Sequence, residues 1–124
     1  DLIARPHAQG ATVTVAPEDT LTTAYARLKL YDVSQLPVLE GDRVVGMLDE
    51  SDLLLALSQR DVGFSDPVHQ AMNRRLEILA PQAGLTELLW VFAKDYVAII
   101  VDEGRFLGII TRIDLLNHLR RKVD

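Results

Sequence analysis

Gly46-Met47-Leu48-Asp49-Glu50-Ser51-Asp52-Leu53-Leu54 returns later in the chain as Gly108-Ile109-Ile110-Thr111-Arg112-Ile113-Asp114-Leu115-Leu116. In both copies an apolar strand pattern runs through a polar turn into a helix pattern, and an Asp falls in the first helical turn. A chain that repeats itself in this way folds as two similar units that need each other to bury their apolar faces. The polar turn lies at a helix N-terminus, where unpaired backbone N–H groups and the positive end of the helix dipole can hold a polar ligand. The repeat therefore constrains the fold and the candidate site together.

The flanking sequence follows the same plan twice. Thr12-Val13-Thr14-Val15 alternates as a strand and stops at Ala16-Pro17. Asp19 or Thr20 can cap a helix in which Leu21, Ala24, Tyr25, Leu28 and Tyr31 recur at helical spacing. Leu36-Pro37-Val38-Leu39 is a second strand, Glu40-Gly41-Asp42-Arg43 a hairpin turn and Val44 to Leu48 a third strand. A helix from Ser51 to Gln59 turns Leu53, Leu54 and Leu57 inward, and Val68 to Met72 reads as a short helical turn. In the second half, Leu76 to Leu79 matches the first strand, and Leu85, Leu88, Leu89 and Phe92 form a helix face. Strands then follow over Val97 to Val101 and Phe106 to Ile110, with a last helix from Ile113 to Arg121. The pattern aligns Leu21, Leu28, Val38, Val45 and Leu53 with Leu85, Phe92, Ile100, Leu107 and Leu115 as matching core positions. The expected boundaries are a lead-in at 1–10, a first repeat at 11–60, a connection at 61–75 and a second repeat at 76–121. Helices alternating with hairpins predict an α+β (mixed α/β) fold, because hairpin turns force antiparallel pairing.

Composition removes several classes of function. The formal charge of −5 opposes non-specific binding to nucleic acid or anionic membrane. No apolar run reaches the length of a membrane span. Without cysteine there is no disulfide, no thiolate catalysis and no cysteine metal site, which suits the cytoplasm. The chain begins at Asp1 without Met and reads as a piece of something longer. His7, His69 and His118 share no ligand spacing, and no Ser-His-Asp set, paired catalytic carboxylates or glycine-rich phosphate loop is present. The expectation is a non-enzymatic chain without a bound metal.

Strand, helix, strand, turn, strand and helix, ending in Gly108-Ile109-Ile110-Thr111-Arg112-Ile113-Asp114-Leu115-Leu116, resembles the CBS domain over about residues 11–121. Two copies in tandem form a CBS pair, or Bateman module. The resemblance implies two βαββα repeats related by pseudo-two-fold symmetry, two clefts, and an adenosine-containing ligand in one or both. Ser34-Gln35-Leu36-Pro37-Val38 and Phe106 to Asn117 look in particular like the C-terminal regulatory region of the cystathionine β-synthase family. There the module is joined to a pyridoxal-phosphate catalytic domain, and some members bind S-adenosylmethionine. The implied partners are an adenosine-type small molecule (S-adenosylmethionine, AMP or adenosine), a second copy of the chain, and a fused catalytic or transport domain.

The spacing of Thr111 and Asp114 puts a hydroxyl at a helix cap and a carboxylate one turn later. Two readings fit: a ribose site in which the carboxylate accepts from both sugar hydroxyls, or a plain helix cap. The resemblance favours the first and gathers Val33, Gln35, Leu36, Ile109, Thr111, Arg112 and Asp114 into one cleft. The first repeat departs from the family pattern. Asp49 stands where Thr or Ser is expected, and Asp49, Glu50 and Asp52 together would repel a phosphate. In that second cleft the ring of Tyr96 is placed to fill the cavity. The competing expectation is a degenerate pair that serves only to dimerise a larger protein.

Overall fold

A computed structural model describes residues 12–59 and 61–123, with side chains through 121. The lead-in at 1–10, with His7, lies outside the described residues. The chain divides into two compact units: Val13–Leu76, and the residues from Glu77 onward with Thr12. No helix among the described residues is long and apolar enough to cross a membrane.

In the first unit, helix α1 (Leu21–Leu30) starts at Thr20, whose hydroxyl accepts the Thr23 N–H at 3.2 Å. That cap replaces one of the hydrogen bonds that a helix end lacks. Leu21, Ala24 and Leu28 lie on one face and are buried. Asp32 ends the turn after α1 with a φ of 52°. Strands β1 (Gln35–Glu40) and β2 (Arg43–Asp49) pair antiparallel. Gly41, with a φ of 63°, supplies the left-handed residue that the two-residue hairpin requires. Helix α2 (Glu50–Gln59) follows β2 without a break and buries Leu53 and Ala56. A single 3-10 turn, Val68–Gln70, leads to Asn73, which exchanges both backbone hydrogen bonds with Met47. Gly46 permits this approach: a Cβ there would lie 2.6 Å from the Met72 sulfur. Leu21, Leu36, Val38, Leu48, Leu53 and Val68 form the centre of this unit's core.

The second unit runs β3 (Ile78–Leu79), α3 (Leu85–Ala93), β4 (Ala98–Asp102), β5 (Arg105–Ile110) and α4 (Arg112–Val123). Its hairpin repeats that of the first unit position for position. Val38 opposes Gly46 as Ile100 opposes Gly108, and both ladders slip at the next residue, at Val38/Leu39 and at Ile100/Val101. The parallel partner agrees too, since Val15 bridges Val38 as Leu79 pairs with Ile100. Glu103 and Gly104 carry the positive φ values of this second hairpin, 51° and 79°. The two halves therefore share strand order and register, as the repeat predicts. The mixture of helices with parallel and antiparallel pairing is the α+β class expected.

The helix starts differ between the units. Gly84 has no side chain to cap α3, so Glu87 reaches back and accepts the Gly84 N–H at 3.1 Å. That bond, with a further one from its own N–H, holds the Glu87 carboxyl below the usual carboxylate range. A group with a depressed folded pKa stabilises above its unfolded value, about 4.3, and loses that contribution as pH falls through the folded one. Urea midpoints measured from pH 7 to pH 3 should therefore fall less steeply on the acid side for Glu87→Gln than for the wild type. Identical acid limbs would show that the cap contributes nothing.

Four expected core positions are corrected. Leu54 is 67% exposed, Leu85 and Leu89 are each 49% exposed, and Leu107 is 38% exposed. Helix α3 is apolar almost all round, so its sequence cannot say which stripe faces inward; Leu88, Val91 and Phe92 do. Three successive leucines at 53–55 create the same ambiguity in α2, where Leu53 is buried and Leu54 and Leu55 are exposed. In β5, Phe106, Gly108 and Ile110 take the buried face, leaving Leu107 on the other. The first predicted strand also shrinks to the single bridge at Val15, where the N–H and the C=O each pair with the β1 backbone before Pro17 removes a donor.

Candidate functional site

Each copy of the repeated turn folds as a reciprocal cap. In the first unit, the Asp49 N–H donates to Asp52 Oδ2 at 3.0 Å and the Asp52 N–H donates to Asp49 Oδ1 at 2.7 Å. In the second, the Thr111 N–H and hydroxyl both donate to Asp114 Oδ2 at 2.9 Å, and the Asp114 N–H approaches Thr111 Oγ1 at 3.4 Å. This is the capping-box arrangement, with the acid one turn into the helix. The capping reading of Thr111 and Asp114 is therefore realised, and in each turn the first polar residue and the acid three residues on take up one another's N–H groups.

The chemistry of the two caps differs. The Thr111 hydroxyl can donate and accept, whereas an ionised Asp49 can only accept. Asp49 and Glu50 are exposed beside Asp52, so the first turn concentrates three carboxylates. The second turn carries one carboxylate, half-buried, and a neighbouring cation, Arg112.

The remaining candidates fall in both units. Val33, Gln35 and Leu36 belong to the unit of Asp49 and Asp52; Tyr96, Ile109, Arg112, Thr111 and Asp114 belong to the other. Gln35 stands opposite Asp49 in the β1–β2 ladder and accepts the Ser34 hydroxyl at 3.0 Å. The Ser34 carbonyl accepts the Glu50 N–H at 3.2 Å, fixing the approach to β1 against the start of α2. Leu36 is fully buried in its unit's core, and Ile109 is also buried. Tyr96 is half-buried against the core of the second unit, which includes Leu88, Phe92 and Ile110.

Arg112 has a partner that sequence spacing did not reveal. Its guanidinium donates to the Phe92 carbonyl, near the end of α3, and to Asp95 Oδ1 at 2.8 Å. Asp95 adopts a φ of 64°, a left-handed conformation that Asp tolerates better than most residues. No periodicity points to this contact, because it joins a helix start to the turn after a different helix.

A groove of about 550 Å³ in the first unit is lined by residues of α1 and α2, among them Tyr25, Leu28, Leu53 and Leu54, with Phe64. Among the described residues, no three His, Asp or Glu side chains converge as a metal site.

The CBS domain pattern matches twice, over residues 10–59 and 68–121, which accounts for most of the chain. The chain belongs to the CBS domain family. Its two matches make it a tandem CBS pair, a module of the regulatory class. The chain is 31% identical over 111 residues to inosine-5′-monophosphate dehydrogenase of Methanocaldococcus jannaschii, covering 89% of this chain and 22% of that protein. It is 27% identical over 115 residues to cystathionine beta-synthase of Dictyostelium discoideum, covering 88% and 23% respectively. The pair thus spans less than a quarter of either relative. Among solved structures, a Vibrio cholerae protein assigned to acetoin utilization (AcuB) superposes with a TM-score of 0.85 at 23% identity, over 97% of this chain and 88% of that one. That likeness speaks for the CBS fold alone.

Proposed function

We propose that this CBS pair is a ligand-sensing regulatory module for an adenosine-containing molecule, with Thr111 and Asp114 as its ribose-binding residues. The observation that carries this reading is the contrast between the two caps. The Thr111–Asp114 turn combines a donor-acceptor hydroxyl with a single carboxylate, whereas the Asp49–Asp52 turn adds the exposed carboxylates of Asp49 and Glu50 to that of Asp52 and has no hydroxyl at the capping position. A carboxylate can accept both ribose hydroxyls, and only the first kind of turn avoids repelling a phosphate or carboxylate nearby. Within the same unit, Ile109 on β5 is the further residue assigned to this site in our reading, its side chain buried. S-adenosylmethionine and adenosine suit it better than ATP, because little positive charge is offered to a triphosphate. Binding regulates only if it favours one arrangement of the protein over another. The whole protein in this reading is a larger cytoplasmic enzyme or transporter, in keeping with the length of the two enzymes it resembles, and any pyridoxal phosphate belongs to that attached part.

A thermal-shift series with adenosine, AMP, S-adenosylmethionine and ATP tests the reading. A ligand present at 100 times its dissociation constant should add ~2.7 kcal/mol to stability. No shift with any of the four would remove it. The second reading, a degenerate pair that only joins copies of a larger protein, is favoured by the reciprocal caps, in which Asp52 and Asp114 already accept the Asp49 and Thr111 N–H groups without a ligand.

Self-association belongs to both readings. Tyr25, Leu30 and Leu54 on the helices of the first unit are exposed, as are Leu85, Leu89, Trp90, Ile113 and Leu116 on those of the second. Apolar helix surface of this kind is what a two-fold homodimer covers. Sedimentation velocity should give a dimer at tens of micromolar; a monomer there would exclude self-association of this chain.

A further inference from the structure

Arg112 directly follows Thr111 and is the cation nearest in sequence to the proposed ribose site, yet its guanidinium is turned onto the far end of α3. There it meets two acceptors, the Phe92 carbonyl and the Asp95 carboxylate. The Phe92 carbonyl also accepts the Asp95 N–H at 3.0 Å, so one backbone oxygen fixes both the cation and the turn that carries its counter-ion. The corresponding place in the first unit is built differently. Asp32 has the same left-handed conformation after α1, but the residue matching Arg112 is Glu50, so no such ion pair can form. The Asp–Arg pair is therefore peculiar to the unit that carries Thr111.

We infer that Asp95 is a specificity-determining residue that draws Arg112 away from the ligand's 5′ side, so that the site prefers a phosphate-free adenosine compound to a nucleotide. This rests on the reading of Thr111 and Asp114 as a ribose site. A 5′-phosphate held there would need a cation within a few ångströms, and Arg112 is the side chain able to supply one in bidentate form. To do so it must give up Asp95, and the carboxylate left behind would repel the phosphate. Both effects act against AMP, and neither acts on adenosine.

The test is calorimetric titration of the full chain with adenosine and with AMP at one fixed ionic strength. Asp95→Asn removes the charge and tolerates the left-handed backbone; Asp95→Gly removes charge and strain together and guards against a folding defect in the first variant. Either change should raise AMP affinity relative to adenosine by about fivefold, the upper worth of an exposed ion pair. Adding Arg112→Gln to Asp95→Asn should abolish that gain, returning the AMP-to-adenosine ratio to its wild-type value. If adenosine binds and the AMP-to-adenosine ratio stays within twofold of wild type, or if the gain survives Arg112→Gln, the role of Asp95 is overturned and the ribose site stands. Failure of every form to bind either ligand overturns both.

Discussion

Asp114→Ala should weaken binding of adenosine or S-adenosylmethionine at least tenfold, whereas Asp52→Ala should leave it nearly unchanged. Hydrogen bonds to a charged group contribute ~1.5–3 kcal/mol, and a tenfold loss needs ~1.4 kcal/mol. The same carboxylate caps α4 by accepting both donors of Thr111, so Asp114→Ala also costs about 1 kcal/mol of helix stability. Asp52→Ala removes the matching cap on α2 at similar cost. The pair of variants is thereby matched for stability and differs in the proposed ligand contact. Calorimetry on both decides between the clefts. Equal losses, or a larger loss at Asp52, would put the ligand in the wrong place in our reading.

The second large effect is in the first unit's core. Leu36 is fully buried on β1, among Val38, Leu48 and Leu53. Leu36→Ala should cost ~2–5 kcal/mol, the transfer energy of the lost methyl groups plus that of the cavity they leave. Leu54 reads from sequence as equally inward but is 67% exposed, so Leu54→Ala should change stability by less than ~0.5 kcal/mol. Urea unfolding of the two variants, at protein concentrations too low for self-association, measures both. A Leu54→Ala loss comparable with that of Leu36→Ala would show that the α2 face is buried after all. This pair also separates folding from binding, because the Leu36 penalty is expected with no ligand present.

Local signals explain what could be read in advance. A repeated turn with an acid three residues after its first polar residue is enough to specify a reciprocal cap, because the atoms involved lie within one helical turn. Gly41 and Gly104 sit where two-residue hairpins need left-handed backbone, so both hairpins and their strands were legible. The candidate site was legible to the same extent: Thr111 with Asp114, and Asp49 with Asp52, meet as their spacing requires. The contact of Arg112 with Asp95 was not, since 17 residues and a strand hairpin separate the two.

The sequence by itself determined the duplicated plan, the place of the first hairpin turn, the caps of the repeated turns and the charge contrast between them. Each depends on neighbours within a few positions or on residue chemistry alone. Only the tertiary structure decided which stripe of α2 and α3 faces inward, that the Val15 segment pairs through one residue, and where Arg112 goes. A helix that is apolar on most sides satisfies its periodicity in several orientations, and only the sheet packed against it selects one. A long cationic side chain reaches many acceptors, and its choice is fixed when another helix ends beside it with a carbonyl and a carboxylate.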